Sequence, residues 1–169
     1  MVPVVVALGS NVGDSLAFLR QATKELDLVL QGLRSSPIYR TVPMYVEDQR
    51  DYLNAAVSGY TDLGPLALLA RLKELESSIG RQTRTRYGPR EIDLDLVAYG
   101  CLSYFGPRLQ VPHPKSPERR FVLLPMSDLN PDLMLPGVGI VSALLSQTES
   151  QVHDVIPIED ALLSVSGDR

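Results

Sequence analysis

Residues 81–97, RQTRTRYGPREIDLDLV, constrain the fold of this 169-residue chain more than any other stretch. Ile92, Leu94 and Leu96 alternate with Asp93 and Asp95, the period-two pattern of a strand with one buried face. Residues two apart on a strand share a face, so Asp93 and Asp95 project side by side. Their Cα atoms lie about 6.5–7 Å apart at ~3.3 Å rise per residue. Aspartate is depleted in strands, and two like charges on one strand face repel. Something positive must therefore sit between them. Arg81, Arg84, Arg86 and Arg90 come just upstream, with no acid among residues 81–90. Guanidiniums meet the need, and so do divalent ions; the two together suit a polyphosphate. The plain alternative is an acidic strand face beside a solvated basic loop. The closeness of the arginines favours a metal site at Asp93 and Asp95, with Glu91 a bystander at the strand's start.

The rest of the chain supplies a frame for that strand. Residues 2–8, VPVVVAL, are short, apolar and β-branched and predict a buried strand. Gly9-Ser10-Asn11 predicts a turn, a weak signal for anion binding ahead of a helix over about 15–30. Asp14 or Ser15 suits its N-cap, and Leu16, Leu19, Ala22, Leu26 and Leu30 keep helical spacing. Residues 33–39 predict a second strand and residues 40–51 a loop. Residues 52–60 predict a third strand, with Leu53, Ala55 and Val57 facing one way and Tyr52, Asn54 and Ala56 the other. Pro65 opens a second helix and Gly80 ends it, with Leu66, Leu69, Leu72, Leu75 and Ile79 along one stripe. The order β-α-β-β-α-β predicts an α+β, ferredoxin-like core with helices flanking a mainly antiparallel sheet. A hairpin including residues 108–111 follows. A helix then starts near Ser116-Pro117, which Pro125 should end or kink, with a short helix over 140–147 and a strand fragment at Val155–Ile158 after it. A single domain over 1–169 is expected.

Composition limits what this frame can serve. Apolar residues make up 44% and charged residues 21%, as in a globular protein. The net charge of −4 argues against a broad basic face for nucleic acid or a membrane surface. The arginine cluster is thus a local feature in an acidic chain. One cysteine, Cys101, excludes an intrachain disulfide and fits a cytoplasmic setting. The run Val2–Leu8 lacks a basic flank, so no signal peptide is expected, and no apolar run reaches the ~20 residues of a membrane span.

Further candidates surround the acidic strand. The arginine loop carries Gly80, Gly88 and Pro89 and resembles a lid over a triphosphate, with Tyr87 able to stack on a flat ring. His113 lies between Pro112 and Pro114, which hold its backbone; structural and functional roles balance there. Arg119 and Arg120 add positive charge nearby. Asn54 and Tyr52 share a strand face, where an amide can read the donor and acceptor edges of a heterocycle.

Together these motifs resemble the 6-hydroxymethyl-7,8-dihydropterin pyrophosphokinases of folate biosynthesis. The match covers residues 5–135: ALGSN at 7–11, Ser36–Thr41 with Pro43, DYLNAAV at 51–57, LESSIGR at the end of the second helix, YGPREIDLDL at 87–96, and VPHP with RRFVLLPM through Asn130-Pro131. The resemblance implies pyrophosphoryl transfer from ATP to the pterin hydroxymethyl oxygen, with two Mg²⁺ ions and AMP as by-product. It implies Asp93 and Asp95 as metal-bridging carboxylates, with Arg81 and Arg90 also catalytic. It implies Glu76, Arg81, Arg86, Tyr87, Arg90, His113 and Arg119 at ATP, and Thr41, Pro43, Met44, Tyr52, Asn54, Tyr87 and Phe121 at the pterin. Tyr87 stands where that family usually has tryptophan, Pro114 where an aromatic is usual, and Lys73 where glutamine is familiar. Small-molecule substrates, no nucleic acid, no membrane and a monomer are expected. A palm-like nucleotidyltransferase, which also pairs aspartates on a ferredoxin-like sheet, is the runner-up; an RNA-binding module would need a basic, aromatic sheet.

Overall fold

A computed structural model describes residues 1–43, 48–83, 88–159, 161 and 163. Met44, Arg84, Arg86 and Tyr87 lie outside the described residues, and with them the lid and ring-stacking expectations.

The core is one antiparallel sheet with helices on both faces. Strand β1 is Val2–Ser10, helix α1 Ser15–Asp27, β2 Gln31–Ser35, β3 Tyr39–Thr41, β4 Tyr52–Thr61, α2 Pro65–Ile79 and β5 Asp93–Tyr99. The sheet runs β10-β3-β4-β1-β5, with β2 also on β4 and β10 formed by Val155–Pro157. Every pairing in it is antiparallel. The predicted βαββαβ core is present. The second strand differs from expectation: it is not continuous over 33–39 but split into β2 and β3, both on one edge of β4. The break falls at Ser36-Pro37. Pro37 has no N–H to give to a ladder, and Ser36 bridges the gap by accepting from the Ala56 amide through its Oγ at 2.9 Å.

Alternation sorts the strands between two cores. Val4, Val6 and Leu8 of β1, Ala55 and Val57 of β4, and Leu94 and Leu96 of β5 pack under α1 and α2. Val5, Ala56, Val97 and Ala98 pack on the other side under α3 (Arg120–Leu129) and α4 (Val141–Ser146). A register shift between Val5 and Val6 lets Val97 and Ala98 both serve that second core.

Local signals set most boundaries. Asp14 caps α1, accepting from the Ala17 amide at 3.0 Å. Gly80 ends α2 at φ 117°, a left-handed conformation that glycine adopts at little cost. Two expectations shift. The stretch Gly9-Ser10 is strand rather than turn, and the carboxylate of Asp14 serves the start of α1. Ser116–Glu118 form a separate 3₁₀ turn, and α3 runs through Pro125 to Leu129. Burial of Val122, Leu123, Met126 and Leu129 outweighs the one backbone bond that proline removes. Residues 104–105 and 110–111 pair as the small hairpin β6–β7, and residues 134–135 and 139–140 pair as β8–β9.

Candidate active site

Strand register places the candidate residues in rows. Asp93 stands opposite Gly9, Gly9 opposite Asn54, and Asn54 opposite Tyr39. One row over, Asp95 stands opposite Ala7 and Ala7 opposite Ala56. Directly opposed residues share a face, so the carboxylates of β5 and the amide of β4 look out on the α3 side, with only glycine and alanine between them. At ~4.8 Å per strand, Asn54 and Asp93 are about 10 Å apart across the sheet. The small residues leave a cleft there, floored by Ala7 and Gly9. A Cβ on Gly9 would come within 3.0 Å of Asn54 Oδ1.

The two ends of the cleft differ in chemistry. Asp93, Asp95, Arg90, His113 and Arg119 line one end. Thr41, Pro43, Gln49, Tyr52, Asn54 and Phe121 line the other. Asn54 donates through Nδ2 to Thr41 Oγ1 at 2.9 Å, which fixes the amide and turns its oxygen toward Gly9. The Arg119 guanidinium lies 5.5 Å from the Phe121 ring centroid, joining the charged end to the aromatic wall.

Burial and like charge dominate the electrostatics. Burial, then the neighbouring Asp93, pushes the Asp95 carboxyl up to about 6, against the pull of Lys73, Arg119 and Arg81. Arg81 gives an N–H to Asp93 Oδ1 at 2.7 Å and also binds Glu76 Oε2. Burial alone would lower the Arg81 guanidinium, but Asp93 and Glu76 outweigh it and hold it raised. His113 is pushed down to about 4 by burial and by Arg119, against the pull of Asp93. It is therefore neutral near pH 7. Its Nδ1 accepts from the Lys115 amide at 3.3 Å, which leaves the proton on Nε2 as a donor. The His113 amide donates to Val97 O at 3.1 Å, seating the ring beside β5.

Glu76 stands apart from the cleft. It is 2% exposed and faces the outer edge of β5, where Oε1 accepts from the Leu94 amide at 2.7 Å and from Lys73 Nζ at 2.7 Å. Arg81 links it to Asp93. Glu91 turns away too, accepting from the Gln82 amide at 3.2 Å.

Sequence reasoning missed the floor, Ala7 and Gly9, and the hub at Asn11. Asn11 Oδ1 accepts from the Arg90 amide at 2.8 Å, while its Nδ2 donates to Gln49 Oε1 at 3.0 Å and Arg50 O at 3.2 Å. This one buried amide ties Arg90, at the charged end, to Gln49, at the polar end. The sequence marks Asn11 only as the last residue of the ALGSN stretch, with no sign of these partners. The alternation of β1 does place Gly9 and Ala7 on one face, so the floor was accessible in principle.

Among the described residues no three His, Cys, Asp or Glu side chains cluster as a metal site. Asp93 and Asp95 are a pair, and Mg²⁺ commonly takes one or two protein carboxylates and completes its shell with water and phosphate oxygens. A half-buried carboxylate pair in which Asp93 raises the proton affinity of Asp95 fits such an ion.

Acidic pairs of this kind can hold the divalent ions of phosphoryl-transferring enzymes, and here the pair stands on one face of an antiparallel α+β sheet. A model of the family described as 7,8-dihydro-6-hydroxymethylpterin-pyrophosphokinase (HPPK) matches residues 5–131, and the chain belongs to that family. It is 38% identical over 158 residues to the 2-amino-4-hydroxy-6-hydroxymethyldihydropteridine pyrophosphokinase of Methylorubrum extorquens, covering 92% of this chain and 99% of that protein. It is 45% identical over 130 residues to a mitochondrial folate synthesis bifunctional protein of Arabidopsis thaliana, covering 75% of this chain. The chain spans only about a quarter of that relative's length, 23%. The crystal structure of wild-type Plasmodium falciparum HPPK-DHPS superposes with a TM-score of 0.73 at 15% identity, over 88% of this chain and 45% of that one, and shares the fold. No helix among the described residues is long and apolar enough to cross a membrane.

Proposed function

We propose that this chain is one pyrophosphokinase domain that transfers the β,γ-pyrophosphoryl group of ATP to the hydroxymethyl oxygen of 6-hydroxymethyl-7,8-dihydropterin. The oxygen forms a bond to the β-phosphorus, the bond from that phosphorus to the α-bridging oxygen breaks, and AMP departs with the bridging oxygen. The hydroxyl proton passes to solvent water as the new bond forms. The observation that carries the reading is the row Asp93–Gly9–Asn54: a carboxylate pair and a heterocycle-reading amide on one sheet face, separated only by small residues.

Asp93 and Asp95 would hold two Mg²⁺ ions, which when bound neutralise phosphate charge and polarise the reacting oxygens. Arg81, Arg90 and Arg119 spread the charge that develops on the phosphate chain, and Arg86 and Tyr87 are assigned to ATP by the family resemblance. Neutral His113 donates Nε2–H toward the same chain without adding charge. Thr41, Pro43, Tyr52 and Asn54 enclose the pterin against Phe121, and the family resemblance assigns Met44 and Tyr87 to the same substrate. Asn54 and its Thr41 partner read the ring's polar edge. Holding both substrates in one walled cleft supplies orientation, which phosphoryl transfer needs more than covalent help. A monomer working in the cytoplasm completes the reading, and the free, exposed Cys101 fits a reducing compartment.

The test is to incubate the chain with MgATP and the hydroxymethyl-dihydropterin and to identify the products. AMP and the pterin diphosphate in equal amounts are expected, with Asp95→Asn losing nearly all turnover. Release of free pyrophosphate or ADP, or full turnover in the variant, would refute the assignment.

A further inference from the structure

We propose that Lys73 is a positioning residue of the phosphate site, whose charge on Glu76 lets Arg81 release the carboxylates when metal and nucleotide arrive. The inference rests on the pyrophosphokinase reading above.

Glu76 is buried and both of its oxygens face donors. Oε1 takes the Leu94 amide and Lys73 Nζ, and Oε2 takes Arg81. A carboxyl that only accepts is an ionised one. Strand β5 ends the sheet, so at Leu94 its outer edge meets side chains instead of another strand. Glu76 takes the Leu94 N–H and Lys73 gives to the Leu94 carbonyl at 3.2 Å. The peptide pinned in this way lies between Asp93 and Asp95. Lys73 therefore has two anchors, Glu76 and a strand carbonyl, and neither is a substrate.

Arg81 has the opposite position. Its Nη1 is shared between Glu76 Oε2 and Asp93 Oδ1. A divalent ion on Asp93 competes for the oxygen that Arg81 holds. A phosphate chain in the cleft draws the guanidinium the same way. When Arg81 moves, Glu76 loses one of its two cationic partners, and a buried charge left uncompensated costs far more than an exposed one. Lys73 stays on Oε1 through its tie to Leu94 and keeps Glu76 compensated. Glutamine at this position could reach the carbonyl but would bring no charge, and methionine would bring neither.

The test measures binding as well as turnover. Mg²⁺ is titrated calorimetrically into the full chain saturated with α,β-methylene-ATP, and the metal-free proteins are melted in parallel. Lys73→Met is expected to weaken Mg²⁺ affinity about fivefold, the upper end for a half-exposed ion pair. Lys73→Arg should bind as the wild type does. Adding Glu76→Gln to Lys73→Met should restore the affinity to within about twofold of wild type, because no charge is then left to compensate. Unchanged affinity in Lys73→Met would overturn the proposal, as would a loss that Glu76→Gln does not repair. A lower melting temperature with unchanged affinity would make Lys73 a structural tether only. A wild-type chain that binds no Mg²⁺ with the nucleotide would overturn the pyrophosphokinase reading and this inference with it.

Discussion

Asp95→Asn should make the metal-free protein more stable at neutral pH. Burial and Asp93 raise the Asp95 carboxyl from 3.8 to about 6. The folded protein holds this proton more tightly than the unfolded chain, so ionisation works against folding. The sign follows from linkage: the group favours the native state most below pH 3.8, and that advantage is lost as pH rises through about 6. The shift is roughly two pKa units, and at ~1.36 kcal/mol per unit the ionised carboxylate costs the native state on the order of 3 kcal/mol. Asparagine cannot ionise and does not incur that cost. For a protein of this size about 1 kcal/mol moves the melting temperature by ~2–4 °C, so a rise of up to roughly 6–12 °C above pH 7 is the ceiling. Thermal melts of both proteins in EDTA from pH 4.5 to 8 would measure it. The curves should converge toward the acid end, separate progressively up to about pH 6 and run parallel above it. Adding Mg²⁺ with a non-hydrolysable ATP analogue should reverse the order, stabilising the wild type alone. A variant less stable than wild type at pH 8 without metal, or a difference independent of pH, would show that repulsion and burial at this carboxylate are not what the site stores.

Two further outcomes test other parts of the cleft. Gly9→Ala places a methyl group 3.0 Å from Asn54 Oδ1; it should raise the pterin KM at least tenfold while the KM for MgATP and the melting temperature stay close to wild type, and equal changes in both KM values would mean that Gly9 does not separate the two substrates. His113 should titrate near pH 4 in the free protein, so its ring-proton NMR shifts should be flat from pH 5.5 to 8; a midpoint near the ordinary 6.5 would mean that it is solvated and carries charge when it meets phosphate.

Much of this architecture is local. Ile92, Leu94 and Leu96 against Asp93 and Asp95 announced a strand with two carboxylates on one face, because a pleat alternates whatever surrounds it. The same rule put Tyr52 and Asn54 together on β4. Pro65 and Gly80 bracketed α2 through local backbone preferences. These signals lie within a few residues of one another, where covalent geometry governs. The tertiary structure decided the rest. Only strand register could bring Gly9 between Asn54 and Asp93, residues more than eighty positions apart at the extremes, and so open a cleft. Only the packing of α3 carried a helix through Pro125. Glu76, Lys73 and Arg81 meet at Leu94 because β5 is the last strand of the sheet and leaves a peptide edge for α2 to cover. Asn11 joins Arg90 to Gln49 because the chain ends of β1, β4 and β5 converge there. Side-chain alternation is a property of the chain alone, but which groups face each other across a cleft is settled by long-range pairing, and the acidity of Asp95 and the neutrality of His113 follow from what that pairing buries.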